Sequence, residues 1–366
     1  MKKKVYVLFG GKTGEHDVSV SSAVNVLNEL NKELYDVFAL YITRDGIWTR
    51  PWQMNGQEVT EAAVLRTSPL SQTHSILELL LSINDENSIV FPVMHGTFGE
   101  DGKLQGLLEM MNIAYVGNGV AASAVAMDKV LAKKVFSCHS IPQAAFIAFQ
   151  EDEYKRNPYG CLQRATEEIG YPCYVKPANM GSSIGITRCL SRADLEGAIM
   201  AAFQYDYKIL IEEEIQGKEV LVALTGNQMI RCSMAGEWKR EASFFGYEDK
   251  YMDAGLTPII PADISDDIYL KMCEYAKEAY RALGCTGMLR ADFFITENQS
   301  IYLNEVNTIP GFTKHSMFPL LVQASENCSY SEVLDQLIKL GALQFKKMDT
   351  LHYQQLDRKQ LGGTQL

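Results

Sequence analysis

The sequence predicts an α/β protein of several domains that begins with an open parallel sheet. In the first 117 residues, the apolar runs "KVYVLFGG", "YDVFALYI" and "SIVFPVMHG" are separated by segments with helical periodicity. Strands that are buried on both faces have such unbroken apolar runs, and the helices between them cover the sheet. A more β-rich pattern follows, and 366 residues suffice for two or three separate cores.

The N-terminal elements follow one another in strict alternation. "KVYVLFGG" predicts a strand that ends on a glycine pair, and a helical pattern runs from about Asp17 to Leu30. "YDVFALYI" predicts the second strand. Pro92 in "SIVFPVMHG" predicts a strand end or a sheet edge, because proline donates no ladder hydrogen bond. "KLQGLLEMM" and "IAYVG" complete a domain over 1–117, in which 46–87 is too polar to assign.

Two further regions and a tail are predicted. Over 118–211, "GNGVAASAVAMDKVLAKKVFSCHS" indicates a short helix and then a longer one that stops before Pro142. Strands at "AAFIAF" and "YPCYVKP" follow. After them come a loop at "NMGSSIG" (179–185), called the Gly/Ser loop below, and a helix over about 193–203. The third region, 212–345, is β-rich, with a helix near 266–283 and a hairpin over 290–308. Residues 346–366 are polar and predict a frayed tail.

Composition restricts the class of partner. A net charge of -11 and a pI near 5.2 argue against a nucleic-acid or anionic-membrane surface, which requires a basic field. The opening "MKKKVYVLFGG" has too short an apolar run for a secretory signal, and no segment is long and apolar enough to cross a bilayer. We therefore expect a cytosolic protein whose partners are small molecules.

Cysteine and histidine are scattered. The eight cysteines include no C-x-x-C pair, which indicates reduced and mostly buried thiols in a reducing cytosol. The six histidines are equally dispersed, and no zinc or haem signature is present.

The hairpin "RADFFITENQSIYLNEVNT" carries the sharpest chemical signal. Arg290 and Asp292, like Glu305 and Asn307, are two residues apart and project from one face of their strand. A turn symmetric about 298–299 would place Asp292 opposite Glu305 and Arg290 opposite Asn307. Like charges directly across a ladder are destabilising unless a cation lies between them. Mg²⁺, which binds a few carboxylates together with phosphate oxygens, fits this arrangement and predicts a metal–phosphate site. Arg290 is suited to hold a developing oxyanion or a substrate carboxylate.

Three other segments are weaker candidates. The loop in "VKPANMGSSIGI" could surround a phosphate with backbone N–H groups beside Lys176, although a plain hairpin loop is the alternative. "LIEEEIQGKE" lies where the chain enters the third region, and Glu219 could accept from sugar hydroxyls; a solvated strand end is equally consistent. Glu15 with His16, and His95, follow parallel strands at the edge where α/β ligand sites occur. Helix caps at Asp17 and Glu100 are the alternatives there.

Taken in order, these motifs resemble the D-alanine–D-alanine ligases of the ATP-grasp superfamily. The matching pieces are "EHDVS", "HGTFGEDGKLQG", "AMDK", "YVKPANMGSSIGI", "EEEIQGKE", "YEDKY", "RADFF" and "LNEVNTIPGFTKHSM", from residue 4 to about 320. The resemblance implies an ATP-grasp fold and the ATP-dependent joining of two D-alanines through an acyl phosphate, for peptidoglycan precursors. It also implies two Mg²⁺ ions, replaceable by Mn²⁺, and a homodimer, and it leaves a monovalent cation open.

The resemblance assigns roles to individual residues. It makes Asp292, Glu305 and Asn307 the ligands of the two Mg²⁺ ions. It places Lys129, Lys176 and the loop with Gly181, Ser182 and Ser183 at the ATP phosphates, Glu212 and Ile215 at adenine, and Glu219 at ribose. It gives Glu15 the ammonium of the first D-alanine, in a network with Ser182 and Tyr251, and sets His95 near that substrate's carboxylate. Arg290 and the Gly311 N–H become the oxyanion hole. Ser316 and Lys250 anchor the second substrate's carboxylate or the phosphate.

Two local features favour D-alanine as the second substrate. "KY" at 250–251 is similar to the D-alanine-selecting and D-serine-selecting forms and not to the D-lactate group. An apolar Met317 suits a methyl side chain better than a hydroxyl. Gly246 and Phe318 depart from the family's usual aspartate and tyrosine. A D-alanine–D-serine ligase, another carboxylate–amine ligase of the superfamily and a catalytically silent nucleotide-binding regulator remain alternatives. A dehydrogenase does not, because "FGGKTGE" lacks the G-x-G-x-x-G spacing.

Overall fold

A computed structural model describes residues 2–54, 56, 58–65, 76–239 and 257–351. Within them the chain forms three sheets, each covered by helices. None of the described helices combines the length and the apolar character that a bilayer crossing requires.

The N-terminal sheet has the strand order β3-β2-β1-β4. Its elements are β1 (Lys3–Gly10), α1 (His16–Glu29), β2 (Tyr35–Ile42), β3 (Trp52–Gln53), α2 (Glu61–Val64), α3 (Ile76–Ile83), β4 (Ser88–Pro92) and α4 (Lys103–Met110). β1 runs parallel to both β2 and β4, which confirms the predicted parallel sheet. Among the described strands of this sheet, only the two-residue β3 pairs antiparallel. β4 ends at Pro92 and lies at the sheet edge, as the proline predicts.

The central sheet has the order β5-β8-β6-β7, and all three pairings are antiparallel. Its elements are α5 (Val120–Met127), α6 (Lys129–Cys138), β5 (Phe146–Gln150), α7 (Glu151–Arg156), α8 (Pro158–Glu168), β6 (Cys173–Pro177), β7 (Thr187–Cys189), α9 (Arg192–Ala202) and β8 (Lys208–Glu213). The predicted pair of helices before Pro142 is confirmed. β8 runs across the predicted boundary at 211, so the crossing to the next sheet follows Glu213.

The third sheet has the order β12-β11-β9-β13-β14, with β10 paired to β9. Its elements are β9 (Lys218–Gly226), β10 (Arg231–Cys232), β11 (Gly236–Lys239), β12 (Thr257–Ile259), α10 (Asp266–Ala282), β13 (Gly287–Ile295), β14 (Ile301–Asn307), α11 (Met317–Glu326) and α12 (Tyr330–Asp349). α12 extends four residues into the segment predicted as a tail, and 352–366 lie outside the described residues.

The N-terminal sheet shares its core with the two last helices. Phe9 and Phe91 belong to the same buried cluster as Phe312, Phe318 and Leu337. Gly341, inside α12, comes so close to Tyr115 that a Cβ there would lie 2.6 Å from the Tyr115 carbonyl oxygen. Because only glycine permits this approach, α12 can pack directly on the N-terminal domain. The two ends of the chain are therefore joined by a common core.

Candidate active site

A cavity of about 780 Å³ lies where the three sheets meet. Residues from the N-terminal loops, α6, the Gly/Ser loop, β9, the hairpin and the start of α11 line it. The cavity brings together most of the residues predicted from the sequence, namely Glu15, His95, Lys129, Gly181, Ser182, Glu219, Arg290, Asp292, Glu305, Asn307, Gly311, Ser316 and Met317.

The hairpin has the predicted polar pairing, with one difference in register. Arg290 faces Asn307 and Asp292 faces Glu305. Between Asp292 and Phe293 the register shifts, so that Phe293 faces Leu303 and Asn304 is the extra residue of a β-bulge. The expected symmetry of the turn is therefore wrong by one residue, and the bulge restores the predicted register at the polar end.

Arg290 and Asp292 lie on one face of β13 and form a bidentate ion pair. The Arg290 Nε and Nη2 groups donate to Asp292 Oδ1 and Oδ2, each at 2.8 Å. Asp292 is 1 % exposed. Burial raises the pKa of its carboxyl, and Arg290 opposes that rise. Asn307 Nδ2 lies 3.5 Å from Asp292 Oδ2.

The polar end of the hairpin has the donor set that a hard divalent cation requires. Asp292, Glu305 and Asn307 provide carboxylate and amide oxygens at the cavity wall. Since this set contains only two carboxylates, it is consistent with the finding that no group of three or more Asp, Glu, His or Cys side chains forms a metal cluster among the described residues.

Glu15 is held between two loops from different sheets. It follows β1 and is 6 % exposed. A Cβ on Gly96 would lie 2.4 Å from Glu15 Oε2, and one on Gly181 would lie 3.1 Å from Oε1. Gly96 has φ +73°, a conformation that glycine adopts without strain. The Gly/Ser loop therefore reaches the N-terminal domain directly, at the carboxylate predicted to bind the substrate ammonium.

The Gly/Ser loop has an unusual backbone. Ser182 and Ser183 are both left-handed, with φ of +51° and +59°. Such conformations are uncommon outside glycine and mark functional or strained loops. The Lys129 ammonium donates to the Met180 carbonyl at 2.5 Å, which ties the loop to α6. Asp128 caps that helix by accepting from Val130 N–H and Leu131 N–H, and it pairs with Lys208.

His95 is buried, and both of its ring nitrogens have partners. Nδ1 lies 3.0 Å from the Ile309 carbonyl, and Nε2 lies 3.0 Å from the Ser22 hydroxyl. Burial lowers the His95 pKa to about 4. The imidazole is thus a neutral link between the N-terminal domain and the chain after β14, at the border of the cavity.

Glu100, which the sequence indicated only as a possible helix cap, also lines the cavity. Its carboxylate accepts from Gly96 N–H at 2.7 Å and from Ile309 N–H at 3.1 Å. Burial raises its pKa to about 7, against these hydrogen bonds and the nearby Arg290. Its position in "HGTFGEDG", five residues after His95, was the signal for this role.

A buried charge cluster borders the central sheet. The Glu212 carboxylate is paired with Lys176 and, at 3.1 Å, with Lys133. Burial pushes the Glu212 pKa upward, but the two ammonium groups outweigh it and lower the pKa to about 2. Burial lowers the pKa of Lys129. The nearby charge of Glu305 opposes that shift, and the charge of Lys176 adds to it. Lys133 was not predicted from the sequence, although it lies one helical turn after Lys129.

The remaining predicted residues have definite positions. Lys176 and Glu212 lie on β6 and β8, Ile215 is half-buried just after β8, and Ser183 lies in the Gly/Ser loop; these four do not line the cavity. Met317 begins α11, is 2 % exposed and lines the cavity beside Ser316. Lys250, Tyr251 and Gly246 lie outside the described residues.

Phe318, one of the departures noted in the sequence, belongs to the core. It is fully buried and packs edge-on against Phe312, with ring centroids 5.7 Å apart. A tyrosine hydroxyl at this place would need a buried partner, whereas phenylalanine needs none. The departure therefore concerns packing behind the cavity.

Comparison with known proteins shows likeness over nearly the whole chain. Family models described as D-ala D-ala ligase N-terminus and D-ala D-ala ligase C-terminus match residues 4–118 and 135–339. A D-alanine--D-alanine ligase of Bacillus velezensis is 41% identical over 342 residues, 91% of this chain and 96% of that protein.

Solved structures of two ligases are also similar to this chain over nearly its whole length. The D-alanine-D-alanine ligase from Coxiella burnetii superposes with a TM-score of 0.79 and 29% identity, covering 95% of this chain and 96% of that one. The VanG D-Ala:D-Ser ligase from Enterococcus faecalis superposes with a TM-score of 0.78 and 33% identity, covering 93% and 100%.

Proposed function

Because this chain belongs to the D-alanine–D-alanine ligase family, we propose that its cavity joins two D-alanines into D-alanyl-D-alanine, with ATP as the energy source, for peptidoglycan precursor synthesis. The observation that carries the proposal is the convergence of Glu15, Arg290, Asp292 and Gly311 on one cavity from separate elements. It supports an ammonium site, a phosphate–metal site and an oxyanion site within one volume.

The reaction has two steps. The carboxylate oxygen of the first D-alanine attacks the γ-phosphorus of ATP, and the bond from that phosphorus to the β-phosphate oxygen breaks, which gives an acyl phosphate and ADP. The amine of the second D-alanine then attacks the acyl carbon, loses a proton and expels phosphate. Phosphorylation is needed because a carboxylate oxygen is a poor leaving group. Negative charge develops on the acyl oxygen in the second step, and its stabilisation is usually the largest catalytic contribution.

Each half of the reaction has residues of suitable chemistry. Glu15 binds the ammonium of the first D-alanine, in the network with Ser182 and Tyr251 that the resemblance implies. Arg290 and the Gly311 N–H bind the oxyanion. Ser316, together with Lys250, receives the second substrate's carboxylate or the phosphate, at the amino end of α11, where free N–H groups favour an anion.

The nucleotide lies between the central and third sheets in this proposal. Lys129, Lys176 and the backbone of Gly181–Ser183 contact the phosphates. Glu212 and Ile215 line the adenine slot. Glu219, which lines the cavity from β9, accepts hydrogen bonds from the ribose hydroxyls. The pairing of Glu212 with both Lys176 and Lys133 supports a carboxylate that stays ionised.

Asp292, Glu305 and Asn307 are the proposed ligands of two Mg²⁺ ions, for which Mn²⁺ could substitute. Bound there, the ions neutralise phosphate charge. The buried carboxylate of Asp292 supports this assignment, because burial raises its pKa and a cation would favour the charged form.

D-Serine is the second candidate for the acceptor. The similarity to a D-Ala:D-Ser ligase structure favours it, whereas the apolar, buried Met317 at the cavity wall favours a methyl side chain. We propose D-alanine as the preferred acceptor.

The test is phosphate release from Mg-ATP. With D-alanine alone, we expect turnover and a D-alanyl-D-alanine product, and D-serine added in competition should be incorporated less. No phosphate release with D-alanine would defeat the proposal, and preferential D-serine incorporation would replace the acceptor. Omission of Mg²⁺ and replacement by Mn²⁺ test the metal. The homodimer and the cytosolic location stay predictions, and the monovalent cation stays open. Light scattering at several protein concentrations tests the homodimer.

A further inference from the structure

The chain around Gly311 is fixed by its neighbours on both sides. Residues 309–312 read Ile-Pro-Gly-Phe and leave β14 for the start of α11. Pro310 has a φ locked by its ring, whereas Gly311 is free to rotate. The direction of the Gly311 N–H therefore depends on what holds Ile309 and Phe312.

Side chains of the N-terminal domain hold those two residues. The Phe312 N–H donates to Ser22 Oγ at 3.2 Å, and the Phe312 carbonyl accepts from Asn25 Nδ2 at 2.9 Å. Ser22 and Asn25 are one turn apart on α1, and both are buried. The Ile309 carbonyl accepts from His95, as described above. The Phe312 carbonyl also accepts from the Tyr330 hydroxyl at 2.6 Å.

The protons of this network can be placed one by one. The Ile309 carbonyl can only accept, so His95 Nδ1 carries the proton. The buried imidazole is neutral, so Nε2 must accept, and the Ser22 hydroxyl is its donor. The Ser22 oxygen is then available to accept the Phe312 N–H. Ser22 is the one side chain in this network that contacts both His95 and the Phe312 backbone, and alanine in its place would break both contacts.

We propose that Ser22 is a positioning residue that sets the direction of the Gly311 N–H by holding Phe312 and His95 together. The inference rests on the proposed function, since it concerns the oxyanion site of that reaction. Ser22 touches no reacting atom. It acts through the Phe312 backbone and through His95, which thereby serves as a link in the network and not as a ligand of the first substrate's carboxylate.

Ser22→Ala is the test, and Ser19→Ala is its matched control. Ser19 is also fully buried on α1 and makes two backbone hydrogen bonds, accepting from Gly10 N–H at 2.8 Å and donating to the Val93 carbonyl at 2.7 Å. Neither of these hydrogen bonds involves residues 309–312. Both variants should lose comparable stability. Only Ser22→Ala should lower kcat, by about 10-fold or more, with the KM for ATP changed by less than about 2-fold.

A kcat for Ser22→Ala equal to that of Ser19→Ala would overturn the proposal. Asn25→Ala, which leaves Tyr330 on the Phe312 carbonyl, should lower kcat in the same direction and serves if Ser22→Ala does not fold. Amide hydrogen exchange at Phe312 is independent of turnover: it should accelerate in Ser22→Ala and not in Ser19→Ala, and equal protection would also overturn the proposal. If the wild-type chain releases no phosphate with D-alanine, the proposed function fails and the oxyanion role with it, whereas the exchange measurement still decides whether Ser22 holds the Phe312 backbone.

Discussion

Arg290 donates two parallel hydrogen bonds of 2.8 Å to Asp292, which lies on the same face of β13. The pair joins the proposed oxyanion-binding group to a proposed metal ligand. Because the carboxylate is almost fully buried, its charge depends on the guanidinium beside it.

Arg290→Ala should therefore cost both stability and rate. Loss of one oxyanion donor typically lowers kcat by about 10²–10³-fold. Removal of the partner of a buried carboxylate costs about 3–5 kcal/mol, less whatever protonation of Asp292 recovers. Phosphate-release kinetics and urea denaturation measure the two effects. Arg290→Lys keeps the positive charge but not the two-pronged guanidinium. Its kcat and its free energy of unfolding should lie between those of the wild type and of Arg290→Ala.

Arg281→Ala is the control for that substitution, since Arg281 is an exposed arginine with a Glu278 partner at 3.7 Å. It should change the free energy of unfolding by less than about 1 kcal/mol. Near-normal turnover by Arg290→Ala would remove Arg290 from the oxyanion role.

Gly96→Ala should displace Glu15. Its Cβ would lie 2.4 Å from Glu15 Oε2, and its φ of +73° would also strain the backbone. Gly46→Ala is matched, because Gly46 has φ +82° with no atom within 4 Å of the added Cβ. Both should lose about 1 kcal/mol through the backbone. Only Gly96→Ala should lower kcat/KM for the first D-alanine, by about 10-fold or more. Equal kinetics in the two variants would show that the Glu15 position is not critical.

Lys133→Met should weaken the buried charge cluster. Its removal leaves Glu212 with Lys176 alone, so the Glu212 pKa should rise from about 2. A carboxyl with a depressed pKa stabilises the fold above its unfolded pKa near 4.5, and this contribution is lost as the pH falls toward 2. We expect a loss of about 1–3 kcal/mol at pH 7 and an acid transition at higher pH.

Lys134→Met is the control for the cluster, because Lys134 is the exposed neighbour of Lys133 on α6. Urea denaturation at pH 7 and acid titration followed by circular dichroism would compare the two. If both variants unfold alike, Lys133 contributes nothing through Glu212.

His95 should make the protein less stable in mild acid. Its pKa of about 4 lies below the ordinary value of 6.5, so the unfolded chain binds more protons between these limits. Stability from this group is complete above pH 6.5 and falls by about 3 kcal/mol as the pH approaches 4. Glu100, with its raised pKa, acts in the opposite direction between about pH 7 and 4.5. The wild-type curve alone is therefore not the test.

The comparison is His95→Gln against the wild type at pH 7.5 and 5. The variant should lose less stability on acidification, measured by urea denaturation. If the wild type and His95→Gln lose the same free energy of unfolding between pH 7.5 and 5, His95 is not held neutral by the fold.

Local patterns predicted the architecture because buried strands and amphipathic helices repeat regularly in this chain. β2 was predicted over the observed Tyr35–Ile42, and Pro92 marked the end of β4. The Asp292–Glu305 pairing was also predicted, but the bulge at Asn304 was not, because a bulge leaves no signature in strand propensity. The predicted turn symmetry and the bulge compensate each other at the polar end.

Long-range contacts could not be predicted in the same way. Glu15 lies against Gly181, and Ser22 contacts Phe312, 290 residues further along the chain. Such contacts follow from how the sheets pack and not from spacing along the sequence. The resemblance to a family brought the site residues together, yet it did not reveal Lys133 or the network around His95.

The contact of Glu15 with loops from two sheets bears on how specificity can change during evolution. Neither the N-terminal domain nor the rest of the chain encloses the proposed first-substrate site by itself, because Gly96 belongs to the N-terminal domain and Gly181 to the loop between β6 and β7. An N-terminal domain that is expressed separately would have to reassociate with the rest of the chain before the two could bind D-alanine with full affinity. Chimeras that exchange the N-terminal domain between relatives would likewise alter the contact between Glu15 and the loop that is proposed to bind the ATP phosphates. If both proposed roles are correct, a substitution that adapts the Glu15 site to another acyl donor also acts on the loop at the ATP phosphates.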